Sequence, residues 1–317
     1  MNYILFGAAG FIGINLAIEL SKDPENKITL VDQKEEFFAS VKALNLPNTQ
    51  IVISSLNIET NFDQLLKNQD VVFHLVSTTV PTTSNLRVAE EISFNIMFSV
   101  NLLESCVQNK VKKVVFLSSG GTVYGTEDTC PIPETAPTNP ITAYGIQKLT
   151  IEKLLYLYHS MYGLEYRIIR LSNPYGPYQR PNGILGAVTS FTYKAINNEP
   201  INVYGDGSVV RDFIYIDDAI KAIIKITKGN SRYKLFNLGS GHGTSIREVL
   251  DTISIALNKK LNIKYNDGRS VDVPKNYLNI SRYEAEYGSL NLKSLYDGII
   301  CTANFLNEHY EGKTERW

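Results

Sequence analysis

The sequence predicts an α/β fold, a doubly wound parallel sheet carrying a smaller C-terminal α/β lobe. Three observations carry that expectation. Strand-length apolar runs alternate with helix-length amphipathic ones through the first half, the pattern of parallel strands joined by helical crossovers. The first apolar run breaks at once into Gly7, Gly10 and Gly13, three glycines spaced three apart. From about residue 174 the alternation loosens, as Pro174, Pro177, Pro181 and Pro200 cut the chain into shorter pieces.

Taken in order, Tyr3–Phe6 is a short buried strand. Phe11, Ile12, Ile14, Leu16, Ala17 and Leu20 fall on one face of a helix. Ile28–Val31 is a second strand ending at Asp32, nineteen residues past Gly13. Asn61–Gln69 reads as a polar helix and Val71–Val76 as a strand. A long helix over Ile92–Gln108, a strand over Val114–Ser118, a helix within Ile141–Tyr162 and a strand over Tyr166–Leu171 follow. In the second half Asp217–Lys228 and Ser245–Asn258 read as helices. The expected division is residues 1–173 for a Rossmann-type domain, rejoined by segments near 209–239, and 174–317 for the second lobe.

Composition narrows the function by exclusion. The 317 residues carry 31 Lys and Arg against 32 Asp and Glu, a formal net charge of −1, with no long run of either sign. That balance gives no general attraction to nucleic acid or a membrane surface. Cys106, Cys130 and Cys301 lie far apart and form no C-x-x-C, and His74, His159, His242 and His309 lack metal-ligand spacing. No metal site is expected. The glycine turn starts within seven residues of the first Met, and no apolar run approaches the ~20 residues of a membrane span, so a cytoplasmic protein is expected.

The glycine turn and Asp32 point to a dinucleotide. A turn without side chains lets the backbone approach a pyrophosphate and leaves it on a helix N-terminus; Gly7, Gly10, Phe11, Ile12 and Gly13 form that cradle. A carboxylate at the end of the second strand suits the ribose hydroxyls of NAD and repels the extra phosphate of NADP. The chain also contains a single Y-x-x-x-K, Tyr144 to Lys148, opening a long helix. Residues four apart share a helical face. An ammonium beside a phenol favours the phenolate, which lowers a pKa of about 10 and suits the group to proton removal from a hydroxyl.

These motifs resemble the extended short-chain dehydrogenase/reductase family, and within it the NAD-dependent epimerase/dehydratase proteins like UDP-galactose (UDP-glucose) 4-epimerase. The likeness runs over nearly the whole chain. It includes Gly7-x-x-Gly10-x-x-Gly13, Asp32, Ser118–Gly125, Tyr144-x-x-x-Lys148, Ser172–Pro177, Gly205-Asp206-Gly207-x-x-x-Arg211-Asp212-Phe213 and Asn237–Gly241. The resemblance implies NAD as cofactor, a UDP-sugar as substrate, Tyr144 as base and Lys148 as its ribose-binding partner. It implies Asn57 and Ile58 at the adenine edge, where Asp is commoner than Asn57. It further implies Asn173, Arg211 and Arg269 on the substrate, the two arginines on its diphosphate, with Tyr204 at the uracil. Asn276, smaller than the Tyr of strictly hexose-specific members, would leave room for N-acetylhexosamines. The loop Ser77–Thr83 lines the sugar pocket or is an ordinary polar turn. Pairing of the two long helices would give a homodimer, through residues such as Phe94, Phe98, Leu102, Leu103, Leu154, Leu155, Leu157 and Met161.

One departure bears on the chemistry. The family places Ser or Thr where this chain has Gly120, so Ser119, Thr122 or a water must supply that hydroxyl. The acid–base pair that dehydratases of the family carry before Val-Tyr-Gly is Gly121-Thr122 here, which disfavours dehydration. A 4-epimerisation through a 4-keto sugar is expected. A nucleotide-sugar oxidoreductase such as a 4-ketoreductase, or a dehydratase, stays open, and a non-enzymatic NAD-sensing protein is the remote alternative.

Overall fold

The computed structural model describes residues 1–77, 84–127, 129–181, 186–268 and 273–310. Seven parallel strands make the central sheet. The first part of the chain runs β1 (Asn2–Phe6), α1 (Phe11–Ser21), β2 (Lys27–Asp32), α2 (Ala39–Leu44), β3 (Thr49–Ile53), α3 (Phe62–Leu66), β4 (Val71–His74), α4 (Val88–Gln108), β5 (Lys113–Ser119), α5 (Ala143–Tyr162) and β6 (Tyr166–Leu171). There follow β7 (Asn173–Tyr175), α6 (Ala187–Ile196), β8 (Ile201–Tyr204), β9 (Val210–Arg211), β10 (Phe213–Tyr215), α7 (Ile216–Lys228), β11 (Leu235–Leu238), β12 (Thr244–Ser245) and α8 (Ile246–Leu257). The chain ends with β13 (Ile263–Asn266), β14 (Lys275–Asn276), α9 (Ser281–Tyr287) and α10 (Leu295–Tyr310). The sheet order is β11-β6-β5-β4-β1-β2-β3, so the winding reverses between β1 and β4. In open sheets of this kind the ligand crevice lies at the carboxyl ends of the strands beside that reversal.

Strand periodicity decides which helices cover which face. On β1, Tyr3 and Leu5 enter one core with Leu16, Ala17 and Leu20 of α1 and Ile220 and Ile223 of α7. Ile4 and Phe6 enter the other, with Phe98 and Leu102 of α4 and Ile151 and Leu155 of α5. Successive residues of a strand point to opposite faces, so one apolar run feeds two cores. A third core lies outside the sheet, where β8 meets α6, α8 and α10 around Val188, Val203, Leu250, Ile253 and Ile299.

Several elements differ from expectation in extent. The helix expected over Asn61–Gln69 shrinks to Phe62–Leu66, because Asn61 caps it by accepting from the Gln64 N–H and Asn68 takes a left-handed φ of 62°. The strand from Val71 stops at His74. Helix α4 starts a turn before Ile92, with Glu90 and Glu91 in its first turn, where acids suit the helix dipole. Strand β3, α6 and α10 lie where no element was expected. Among the described residues no helix is long and apolar enough to cross a membrane, and no group of three His, Cys, Asp or Glu could hold a metal.

Candidate active site

The glycine turn connects β1 to α1 at the reversal of the sheet. Gly7 has φ +84°, and a Cβ there would press on the Leu75 backbone. Gly13 has a different reason: a Cβ would lie 2.5 Å from the Ala8 carbonyl oxygen, so only glycine lets the helix pack this closely on the turn. Helix α1 starts at Phe11 with no side-chain cap and no acidic residue in its first turn. The amides of Phe11, Ile12 and Gly13 are the ones a helix leaves without intrahelical partners. Asp32 closes the arrangement from the end of β2. Its carboxylate accepts the Ala9 N–H at 2.9 Å and the Gln33 N–H at 2.8 Å, which ties the acid to the glycine turn. Uncapped amides, a turn free of side chains and one carboxylate beside it fit NAD.

After β3, the Asn57 side-chain oxygen accepts the Glu59 N–H and so closes its own turn, while Ile58 stands exposed and its carbonyl accepts from Asn101. Of the expected pocket loop, only Ser77 belongs to the described residues; 78–83 lie outside them.

Tyr144 and Lys148 occupy the first turns of α5, whose N-terminus is capped by Thr142 accepting from the Gly145 N–H. The Tyr144 and Ala143 amides are also bound, by Ser84 Oγ and Asn85 Oδ1. This turn is thereby held from two sides. Lys148 is 4 % exposed and donates to the Leu117 carbonyl at 2.9 Å. Its ammonium lies 4.8 Å from the Phe116 ring and 5.5 Å from the Tyr144 ring. Burial lowers Lys148 to about 8, against a raising pull from Glu152. The expectation of an acidified phenol is corrected here: in the protein alone, burial pushes Tyr144 up to about 12. Lys148 donates to the Leu117 carbonyl and not to the phenol, and desolvation of the phenol prevails. On the neighbouring strand His74 donates to or accepts from Ser99 Oγ at 2.8 Å, and burial, with the Lys148 charge second, drops it to about 3, so it stays neutral.

The wall facing this turn comes from distant segments. A Cβ on Gly120 would lie 2.5 and 2.9 Å from the two Leu278 methyls, so the position where a hydroxyl is expected is filled by Leu278. Two residues on, Thr122 Oγ1 is buried with no hydrogen-bond partner among the described residues. The Thr122 carbonyl packs on Gly145, one residue along α5 from Tyr144. Ser119 contributes its carbonyl to the amides of Thr122 and Val123. Asn276 is 2 % exposed and donates to the Gly120 carbonyl at 3.3 Å. In the small sheet outside the core, Asn276 pairs with Arg211, whose guanidinium donates to the Val210 and Val273 carbonyls. Asn173 reaches the same corner by donating to the Asp212 carbonyl at 2.9 Å. Tyr204 ends β8, 43 % exposed. Arg269 lies outside the described residues.

Comparison with known proteins agrees with this arrangement. The model of the NAD-dependent epimerase/dehydratase family matches residues 3–239. A putative UDP-glucose 4-epimerase of Methanocaldococcus jannaschii is 31 % identical, covering 96 % of this chain and 98 % of the relative. A dTDP-4-dehydro-6-deoxyglucose reductase of Escherichia coli is also 31 % identical, over 93 % and 94 %. The solved UDP-N-acetylglucosamine 4-epimerase of Methanobrevibacter ruminantium M1, in complex with UDP-N-acetylmuramic acid, superposes with a TM-score of 0.88. It is 30 % identical and covers 97 % of this chain and 98 % of that one.

The chain belongs to the NAD-dependent epimerase/dehydratase family. Within that family frame, two buried groups behind Lys148 escaped the sequence reading, Glu152 and Arg170, and Ser118 entered it only as the start of a motif. Their signal was faint, since Glu152 lies four residues past Lys148 on the same face and reads as an ordinary helix charge. The long-helix residues also divide unexpectedly. Phe98, Leu102, Leu103 and Leu155 are spent in the protein's own core, whereas Leu157 and Met161 stay exposed, as do Met97, Ile146 and Tyr156 of the same two helices. A cavity of about 500 Å³ opens at the other end of the sheet, between Met1, Lys112 and Lys228, and shares no residue with this site.

Proposed function

We propose that this protein is a 4-epimerase of a UDP-sugar, working through a 4-keto intermediate. The observation that carries the reading is a site with one acid–base phenol, Tyr144, beside Lys148, and Gly121-Thr122 where a dehydratase needs its extra acid and base. Bound NAD supplies the acceptor and donor of hydride. The chain supplies the rest. The amides of Phe11, Ile12 and Gly13 take the pyrophosphate, Asp32 the adenosine ribose, and Asn57 and Ile58 the adenine edge. Tyr144 Oη removes the proton of the sugar C4 hydroxyl and later returns it. Lys148 holds the second ribose. The positive charge that oxidised NAD would bring beside Tyr144 would offset part of the burial that raises the phenol. Thr122 Oγ1, or Ser119, replaces the hydroxyl missing at Gly120. Arg211 and Arg269 hold the diphosphate, Asn173 and Tyr204 the sugar and uracil sides, and Asn276 keeps the wall small enough for an N-acetyl group.

Purified protein given UDP-glucose or UDP-N-acetylglucosamine is expected to yield an equilibrating pair of C4 epimers without net reduced cofactor. Tyr144→Phe is expected to lower kcat by about 10³-fold while substrate still binds. Undiminished turnover in that variant overturns the reading. Full accumulation of reduced cofactor supports the second reading, a nucleotide-sugar oxidoreductase, which Gly120 and the reductase relative favour. We assign the exposed face of Met97, Ile146, Leu157 and Met161 to a two-fold homodimer. Light scattering should give twice the 35.5 kDa chain mass, and Met161→Glu should shift it to the monomer.

A further inference from the structure

Behind the Tyr144 and Lys148 pair lies a buried ionic group that the reaction above does not use. Glu152, 3 % exposed, sits one helical turn past Lys148 on α5. Arg170 on β6, 4 % exposed, grips it with two hydrogen bonds, Nε to Oε1 at 3.0 Å and Nη2 to Oε2 at 2.6 Å. Ser118 on β5 donates to the same Oε1 at 2.5 Å. The carboxylate is therefore fixed from three elements, α5, β5 and β6. The far side of the guanidinium lies 4.8 Å from the Tyr124 ring, and Tyr124 donates to Asn237 on β11 at 2.6 Å.

Such a pair is a poor way to gain stability. Desolvating two charges costs roughly what their attraction returns, and well-packed apolar residues of similar volume would serve the core as well. Its position suggests another use. The groups in contact with the Lys148 ammonium are uncharged: the Leu117 carbonyl and the Phe116 ring on β5 and the Tyr144 ring on its own helix, with neutral His74 on β4. Among the described residues, Glu152 is the anion whose charge opposes the effect of burial on Lys148.

We propose that Glu152, locked by Arg170 and Ser118, is a positioning residue that holds the Lys148 ammonium in its working place and charge state. Arg170 and Ser118 set the carboxylate's direction, and α5 carries that setting one turn back to Lys148. The inference rests on the Tyr144–Lys148 reading of the site. It also makes a prediction independent of turnover, because the titration of Lys148 itself can be followed.

The test uses the NAD-loaded full chain. Glu152→Gln leaves the Arg170 charge buried without its partner, so it is paired with Glu152→Gln/Arg170→Gln, which removes both charges. Lysine-labelled protein is titrated by heteronuclear NMR, with Lys148→Met assigning the signal, and kcat is measured against pH on the same samples. In the wild type the Lys148 signal should titrate near 8 or above, and Glu152→Asp should keep most of that behaviour. In the double variant the Lys148 titration, and with it the alkaline limb of kcat, should move to lower pH by at least about one unit. A double variant that melts like wild type with an unmoved Lys148 titration overturns the proposal and leaves the pair a structural one. A wild type that titrates as stated but turns over no UDP-sugar would instead count against the epimerase reading alone.

Discussion

The turn after β1 and the wall after β5 stand at the carboxyl ends of one sheet and are built in opposite ways. The turn is local: Gly7 to Gly13 and Asp32 come from one strand–helix–strand unit, and its tight contacts are backbone on backbone. The wall is assembled at long range, with Gly120 met by Asn276 and Leu278 more than 150 residues later. Its tight contact is with the ends of a side chain. A local backbone cradle tolerates little change and binds what the whole family binds. A wall closed by side chains can be re-cut residue by residue, which suits a surface that must distinguish sugars. The substrate preference of this chain should therefore reside in the wall.

Between the turn and the wall, the largest effect is expected at Thr122. Thr122→Val preserves shape and removes the unpartnered Oγ1, so kcat should fall by about 10²-fold with little change in melting temperature. Rescue sharpens the point. Gly120→Ser with Leu278→Ala opens the space that the Leu278 methyls now fill, and in the Thr122→Val background it should recover part of the lost kcat. Steady-state rates on a UDP-sugar decide it, and an unchanged kcat in Thr122→Val would pass the role to Ser119 or to water.

The same contrast explains what could be read from the sequence. The cradle, Asp32, the alternating sheet and the Tyr144–Lys148 spacing were legible because each is a short-range pattern enforced by geometry: a turn, a strand end, a helical face. Helix α8 was equally legible, since Ser245 and Glu248 make a reciprocal capping box. The wall was not. Nothing near Gly120 announces Leu278, and nothing near Lys148 announces that Arg170 fixes Glu152. The phenol failed for a related reason: spacing places an ammonium near Tyr144 but cannot weigh that charge against burial, which here raises the group to about 12.

The smaller prediction sets the two glycines against each other directly. In Gly13→Ala the new methyl meets the Ala8 backbone, with its oxygen at 2.5 Å and its carbonyl carbon at 2.7 Å, and neither can rotate away. The turn must open, which should cost about 1–3 kcal/mol in unfolding free energy and weaken NAD by at least about tenfold. In Gly120→Ala the methyl meets the Leu278 methyls, which can change rotamer, although the Arg170 carbonyl at 3.2 Å limits the space. The cost there should be nearer about 1 kcal/mol, with NAD affinity intact and the effect confined to KM for the sugar. Denaturant melts and NAD titrations of both variants measure the difference. If the two glycines cost the same and both release NAD, the cradle and the wall are one mechanical unit, and substrate choice cannot be tuned at Gly120 without disturbing the cofactor.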